Sequence, residues 1–371
     1  MKSRKPVRLI ALVVVVLVVI TIGALLAFRA QQGDSRVLDG LRNPRSAVML
    51  PDQAIVVTEA GLPDVAGTAD KSTRQITNGR LSWFREDGNG RRTLLDRLPG
   101  QFIGLLNEVI GPSGIALAPN GGIYLLIGQC AQTRCSSLQL FNRDGQLTLV
   151  ADLLLFAAGN PGVTDGGSPN EESNPWGIAV AIDGTIFVSD AAANSIIRID
   201  PRTVPATISI HARLPEQAVP TGIAVTDDGT LFVAIFTALK HPIGSGTILQ
   251  ISPNGQMSSA VAGLTMPIGV LIEPDGKLLV LEFAASYAMD SGYRPQSGKL
   301  TRIDPRSPTE RQVLSTGLNF PTSVMRTDDG AVYVTANGSF SGNAQSAGGE
   351  LLRVGKMEWD WKRWLTLPLL E

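Results

Sequence analysis

"VPTGIAVTDDGTLFVAIF" (residues 219–236) is two short apolar runs hinged on Asp228-Gly229. Strand-like runs joined by an Asp-Gly pair predict a β-hairpin, the pair supplying the positive φ angles of a tight turn. The phrase recurs. Aligned on the proline that opens each copy, the versions are "NPRSAVMLPDQAIVVTE" (Pro44), "GPSGIALAPNGGIYLLI" (Pro112), "NPWGIAVAIDGTIFVSD" (Pro175), "VPTGIAVTDDGTLFVAI" (Pro220), "MPIGVLIEPDGKLLVLE" (Pro267) and "FPTSVMRTDDGAVYVTA" (Pro321). These prolines lie 68, 63, 45, 47 and 54 residues apart, spacings that suit units of four short strands. Six such units predict an all-β, six-bladed β-propeller.

Third strands are legible as "SIIRIDP" (195–201), "GTILQISP" (246–253), "GKLTRIDP" (298–305) and "GELLRVG" (349–355). The last unit stops there, one strand short. The missing strand lies at the other end of the chain, where "RVLDGLRNP" (36–44) matches "QVLSTGLNFP" (312–321), the fourth strand that leads into the last unit. Residues 36–41 are therefore expected to complete blade six and close the ring, which removes an exposed sheet edge.

With 44% hydrophobic and 18% charged residues, 39 glycines and 23 prolines, the 371-residue chain is rich in turns and has enough apolar content for a large core. A formal net charge of −1 leaves no basic field for a phosphate backbone, so nucleic acid is not an expected partner. Residues 9–28, "LIALVVVVLVVITIGALLAF", form an uncharged stretch of bilayer-spanning length. Lys2, Arg4, Lys5 and Arg8 precede it and Arg29 alone follows, which places residues 1–8 in the cytoplasm and the rest outside. A cleaved signal peptide is the competing reading, but its apolar region runs to only about 7–15 residues and ends at a small-x-small site. The expected organisation is a basic N-terminus (1–8), a transmembrane signal anchor (9–28), a linker (29–35), the propeller (36–355) and a tail (356–371) that holds three of the five tryptophans. Expected localisation is membrane-anchored and single-pass, with the propeller extracytoplasmic. Cys130 and Cys135, the only cysteines, sit in the loop "CAQTRC" and are either a small disulfide loop, which that compartment permits, or two free thiols.

Strand direction separates two faces. Turns between first and second strands are minimal, whereas the long polar segments 61–79, 99–111, 159–174, 237–246, 284–297 and 337–348 fall on the opposite, elaborated face, which is the expected site. The fifteenth residue after each aligned proline ends the second strand there and reads Glu59, Ile127, Asp190, Ile235, Glu282, Ala336. Glu59, Asp190 and Glu282 converging on one mouth would repel one another unless they shared a cationic ligand or a divalent metal, and oxygen ligands suit Ca2+ or Mg2+. The alternative is that each carboxylate caps a local turn, the form that Asp190 takes in "DAAANS". His241, in "TALKHPIGSG", is on the same face and is either a ligand contact or a solvent-exposed loop histidine, and His211 reads as an outer-strand residue.

The stretches "VVTEAG" (56–61), "GPSGIAL" (111–117), "ADLLLFAAGNP" (151–161) running into "SNPWGIAV" (173–180), "VSDAAANSIIRID" (188–200), "VPTGIAV" (219–225) and "LLVLE" (278–282), taken in order, resemble the ScyD/ScyE family of secreted bacterial propellers related to NHL-type repeats. Ile235, where that family carries an acidic residue, and the anchor are departures. The resemblance implies a secreted propeller and fixes no reaction. A ligand- or protein-binding scaffold, taking a small molecule or an envelope protein, is the first functional expectation. The alternative is a divalent-metal-dependent hydrolase or lyase of the gluconolactonase or streptogramin-lyase kind, whose Asn/Asp-rich and His-containing motifs are not recognisable in the chain.

Overall fold

Every proline-led phrase folds as the inner hairpin of an antiparallel sheet. In the phrase at 219–236, Pro220–Val225 pairs with Leu231–Ile235, and Gly246–Ile251 and Met257–Leu264 follow outward. The computed structural model describes residues 34–63, 71–163, 169–238, 240–338 and 348–355. Within them, blades one to five span residues 44–110, 112–152, 175–213, 220–264 and 267–318, each in the same strand order.

Blade six is built from both ends of the described chain. Ser323–Arg326, Val332–Ala336 and Gly349–Val354 take as their outer strand Ser35–Leu41, with Ser35 opposite Arg353 and Leu41 opposite Gly349. The N-terminal segment thus closes the ring, and fully buried Leu41 anchors it in a core with Tyr333, Phe84 and Leu351. The expected anchor and the tail lie outside the described residues. Among those described, no helix is long and apolar enough to cross a membrane.

The inner hairpin turns differ from expectation in one respect. Thr226 N–H bonds to the Thr230 carbonyl and Gly229 N–H to the Thr226 carbonyl, so the loop has three residues and only its glycine, at φ +84°, is left-handed. Asp228 instead holds the turn through its side chain, Oδ1 accepting the Thr230 N–H at 3.0 Å. The same contact recurs in every blade, from Asp52, Asn120, Asp183, Asp275 and Asp329. Blade one uses Gln53 at φ +63° where the others have glycine.

Blade one also departs at the elaborated face. Much of 61–79 and 99–111 is strand rather than loop: Thr73–Arg85 and Arg92–Ile103 form one long hairpin, and Glu108–Ile110 adds a fifth strand. Ile76, Phe102, Val109 and Ala60 give this extension a small core of its own. After blade two, Leu153–Gly159 is a short helix whose first turn is capped by Asp152, which accepts the Leu155 N–H at 2.8 Å.

First strands stand closest to the axis, where in blades two to four the glycine two residues after the proline is a steric necessity. A Cβ on Gly177 would collide with the Thr221 carbonyl oxygen, and one on Gly222 would lie 2.6 Å from the Gly269 Cα of the next blade. Hydroxyls stitch neighbouring blades at the same level. Ser113 donates to the Pro175 carbonyl at 2.8 Å, Thr221 to Pro267 at 3.2 Å, and Thr322 to Pro44 at 2.9 Å across the closure.

Candidate functional site

The three strand-end carboxylates are all buried, and each is engaged within its own blade. Glu59 is gripped by Arg80, whose Nε and Nη2 each donate at 2.8 Å, and it also accepts from the Arg42 backbone at 2.6 Å and from the Ser82 hydroxyl. Asp190 accepts from Ser173 at 2.5 Å, from the Asn174 N–H at 2.8 Å and from the Ala193 N–H at 3.1 Å. Burial raises its pKa, and those hydrogen bonds oppose the shift. Glu282 accepts the Thr265 N–H at 2.7 Å and has the Lys299 ammonium 3.0 Å away. In each case the carboxylate ties the end of the second strand to the loop that enters its own blade. Among the described residues no group of three or more His, Cys, Asp or Glu is placed to hold a metal.

His241 is buried rather than solvent-exposed. It is 5% exposed and packs edge-on against Phe236 and Tyr287, with ring centroids 5.0 and 5.4 Å away. Its Nε2 is 2.9 Å from the Tyr293 hydroxyl, and burial lowers its pKa. The loop that carries it turns inward because aromatic residues from 284–297 supply it with a core. His211 packs edge-on against Phe187 on the fourth strand of blade three. Cys130 and Cys135 are disulfide-bonded, with Cα atoms 5.3 Å apart.

A cavity of about 650 Å3 runs along the axis, lined by the first strands of all six blades. It opens where those strands end, among Leu50, Pro51, Gln53, Thr327, Asp328 and Asp329, and so on the face of short turns rather than on the elaborated face. Its inner end is formed by residues that follow the blade prolines, notably Arg45, Ser113, Trp176 and Thr322. Each first strand is an edge strand of its sheet, so its unpaired backbone groups face this cavity.

Arg45 and Glu108 are the buried charges at that inner end. The Arg45 guanidinium lies 5.1 Å from the Trp176 ring centroid, and its Nη2 donates to the Val109 carbonyl. Glu108 comes from the fifth strand of blade one and is not among the residues that line the cavity, with Oε1 4.0 Å from Nη2. Burial dominates both groups, lowering Arg45 to about 10 and raising Glu108 to about 7. Burial, with the charges of Glu108 and Tyr287 behind it, also pushes the Tyr293 hydroxyl up, which links this pair to the His241 cluster. Aligning on the prolines exposes Arg45 and Trp176 at once, because the next residues read Arg45, Ser113, Trp176, Thr221, Ile268 and Thr322. Two large side chains among small or aliphatic ones were the signal. A second cavity lies outside, between blades two and three, and is lined by Leu155, Phe156 and Val204.

With this geometry the chain is a six-bladed β-propeller whose structural neighbours are of the gluconolactonase and streptogramin-lyase type. A Thermus thermophilus oxidoreductase provisionally described as a glucose dehydrogenase is 17% identical, with a TM-score of 0.54 over 87% of this chain and 99% of its own. A protein provisionally described as a gluconolactonase is 12% identical, with a TM-score of 0.50 over 86% of this chain and 91% of its own. Virginiamycin B lyase from Staphylococcus aureus is 13% identical, with a TM-score of 0.48 over 88% and 99%. No family model and no curated protein matches the chain. At these identities the likeness to the first two establishes the fold and nothing finer.

Proposed function

We propose that this chain is a membrane-anchored, extracytoplasmic propeller of the ScyD/ScyE kind that acts as a binding module, taking a small ligand into its axial cavity. The observation that carries the reading is the cavity itself: about 650 Å3, walled by all six blades and ended by buried Arg45. That volume falls in the range of small-molecule sites, and few polar groups converging in a concave apolar wall are the usual form of such sites. The alternative, a metal-dependent hydrolase or lyase, rests on likeness of fold, and its ligand set is not found among the described residues.

Thermal-shift screening of the full-length protein in detergent against a metabolite library tests the reading. A bound compound at a hundred times its Kd stabilises the folded state by about 2.7 kcal/mol. A photo-crosslinkable version should label first-strand residues such as Ile115 or Ile178. Labelling confined to the outer groove of blades two and three would overturn axial binding, and chelator-sensitive turnover of a ligand would favour the enzyme.

A further inference from the structure

The guanidinium at the closed end of the axial cavity has a donor to spare. Arg45 is 3% exposed, yet its Nη1 has no hydrogen-bond partner. Nη2 is occupied by the Val109 carbonyl, and the nearest carboxylate, Glu108, stands at 4.0 Å, beyond hydrogen-bond reach. The Ser113 hydroxyl is directed to the Pro175 carbonyl, and its oxygen makes no hydrogen bond with Nη1. A buried cationic donor left unmade costs on the order of 1–3 kcal/mol or more, so the site is incomplete as it stands. Trp176 holds the guanidinium from one side, and apolar Ile115, Ile178, Ile223 and Val270 line the approach.

Resting on the axial-binding reading, we infer that Arg45 Nη1 is the receptor for the carboxylate of a small organic monoacid that enters from the short-turn face. A monoanion suits the site better than a phosphate dianion. There is one guanidinium to neutralise it, and the Glu108 carboxylate near that guanidinium repels excess negative charge. The body of the acid would lie among the isoleucines and the free edges of the first strands, which accept a compact group of mixed polarity.

The test uses the full-length protein in detergent, with calorimetric titration of benzoate, its neutral analogue benzamide, and inorganic phosphate. Benzoate is expected to bind about tenfold or more tighter than benzamide, the worth of one charge-assisted hydrogen bond. It should also bind more tightly than phosphate. Arg45→Met should abolish benzoate binding. Should that variant fail to fold, Glu108→Gln gives the opposite sign: at pH 8, above the raised pKa of Glu108, removing the competing carboxylate should make benzoate bind roughly five- to tenfold tighter, as the loss of a like charge several ångströms away implies. A purely structural Arg45–Glu108 pair predicts no such gain, so unchanged benzoate affinity in Glu108→Gln overturns the inference. No saturable benzoate binding, or tighter phosphate binding, also overturns it. Benzamide binding in the cavity as tightly as benzoate would leave axial binding standing while removing the carboxylate receptor.

Discussion

Glu108 is a carboxylate held almost out of water, and its sign as a pH sensor can be worked out. Its folded pKa is raised from 4.5 to about 7, first by burial, with the opposing pull of Arg45 too weak to restore it. Between those values the folded state binds more protons than the unfolded one, so stability is highest below the unfolded pKa and falls as pH rises through about 7. Each tenfold change in proton affinity is worth about 1.4 kcal/mol, which makes the loss on the order of 3 kcal/mol. Thermal unfolding from pH 5 to 8 should therefore show a decline in the wild type that Glu108→Gln flattens; an equal slope in both would assign the effect to another group. This residue was illegible in the sequence because nothing around "NEVIGPSG" says that the segment folds back as a fifth strand on the end of the long blade-one hairpin. Glu59, Asp190 and Glu282 were legible as a column, since repeats place them at one level. Their partners were not: Arg80 comes from the third strand and Ser173 from an entering loop, and such pairings exist only once the blade is folded.

Among the elements, the inner hairpins were the most readable, because in blades two to four two requirements met in each of them. One is conformational and the other spatial, and they fall on different glycines. Gly276 sits at φ +83° in a turn with open space around it, so its replacement meets strain alone. Gly222 has no φ restriction of that kind, but a Cβ there would press 2.6 Å from the Gly269 Cα and 2.9 Å from the Ile268 carbonyl oxygen. Backbone on both sides cannot yield as a flexible side chain does. Gly276→Ala should cost about 1–2 kcal/mol, the penalty of a left-handed residue. Gly222→Ala should cost more, about 3 kcal/mol, as overpacking of a close contact does. Denaturant titration of the two variants orders them, and a milder effect at Gly222 would mean that the inner strands can spread. The long hairpin of blade one was harder to read. "STRQITNGR" shows no clear alternation, and the apolar positions that pin it, Ile76, Phe102 and Val109, are sparse and come from three separate strands.

For the molecule as a whole, ring closure sets direction as well as stability. Ser35–Leu41 is a fourth strand and so runs from the short-turn face toward the elaborated one, while Gly349–Val354 runs the other way. Both ends of the described propeller, Asp34 and Gly355, therefore emerge on the short-turn face, where Gly355 N–H is 3.4 Å from an Asp34 carboxylate oxygen. The axial cavity opens on that face too. If residues 9–28 form the proposed anchor, six residues join it to Ser35, a reach of at most about 20 Å. A disc wide enough for six blades cannot turn over on so short a tether. The short-turn face, and the mouth of the cavity with it, should then look toward the bilayer, and the 284–297 loop should look away. Native Cys130 and Cys135 are paired and do not compete for a thiol reagent, so single cysteines report the orientation directly. On spheroplasts bearing the full-length protein, Met289→Cys, at an exposed position of the outward loop, should react faster with a bulky maleimide than Asp227→Cys in a short inner-hairpin turn. Solubilising the membrane should remove the difference. Faster labelling of Asp227→Cys before solubilisation would reverse the orientation, and with it the side from which a ligand reaches Arg45.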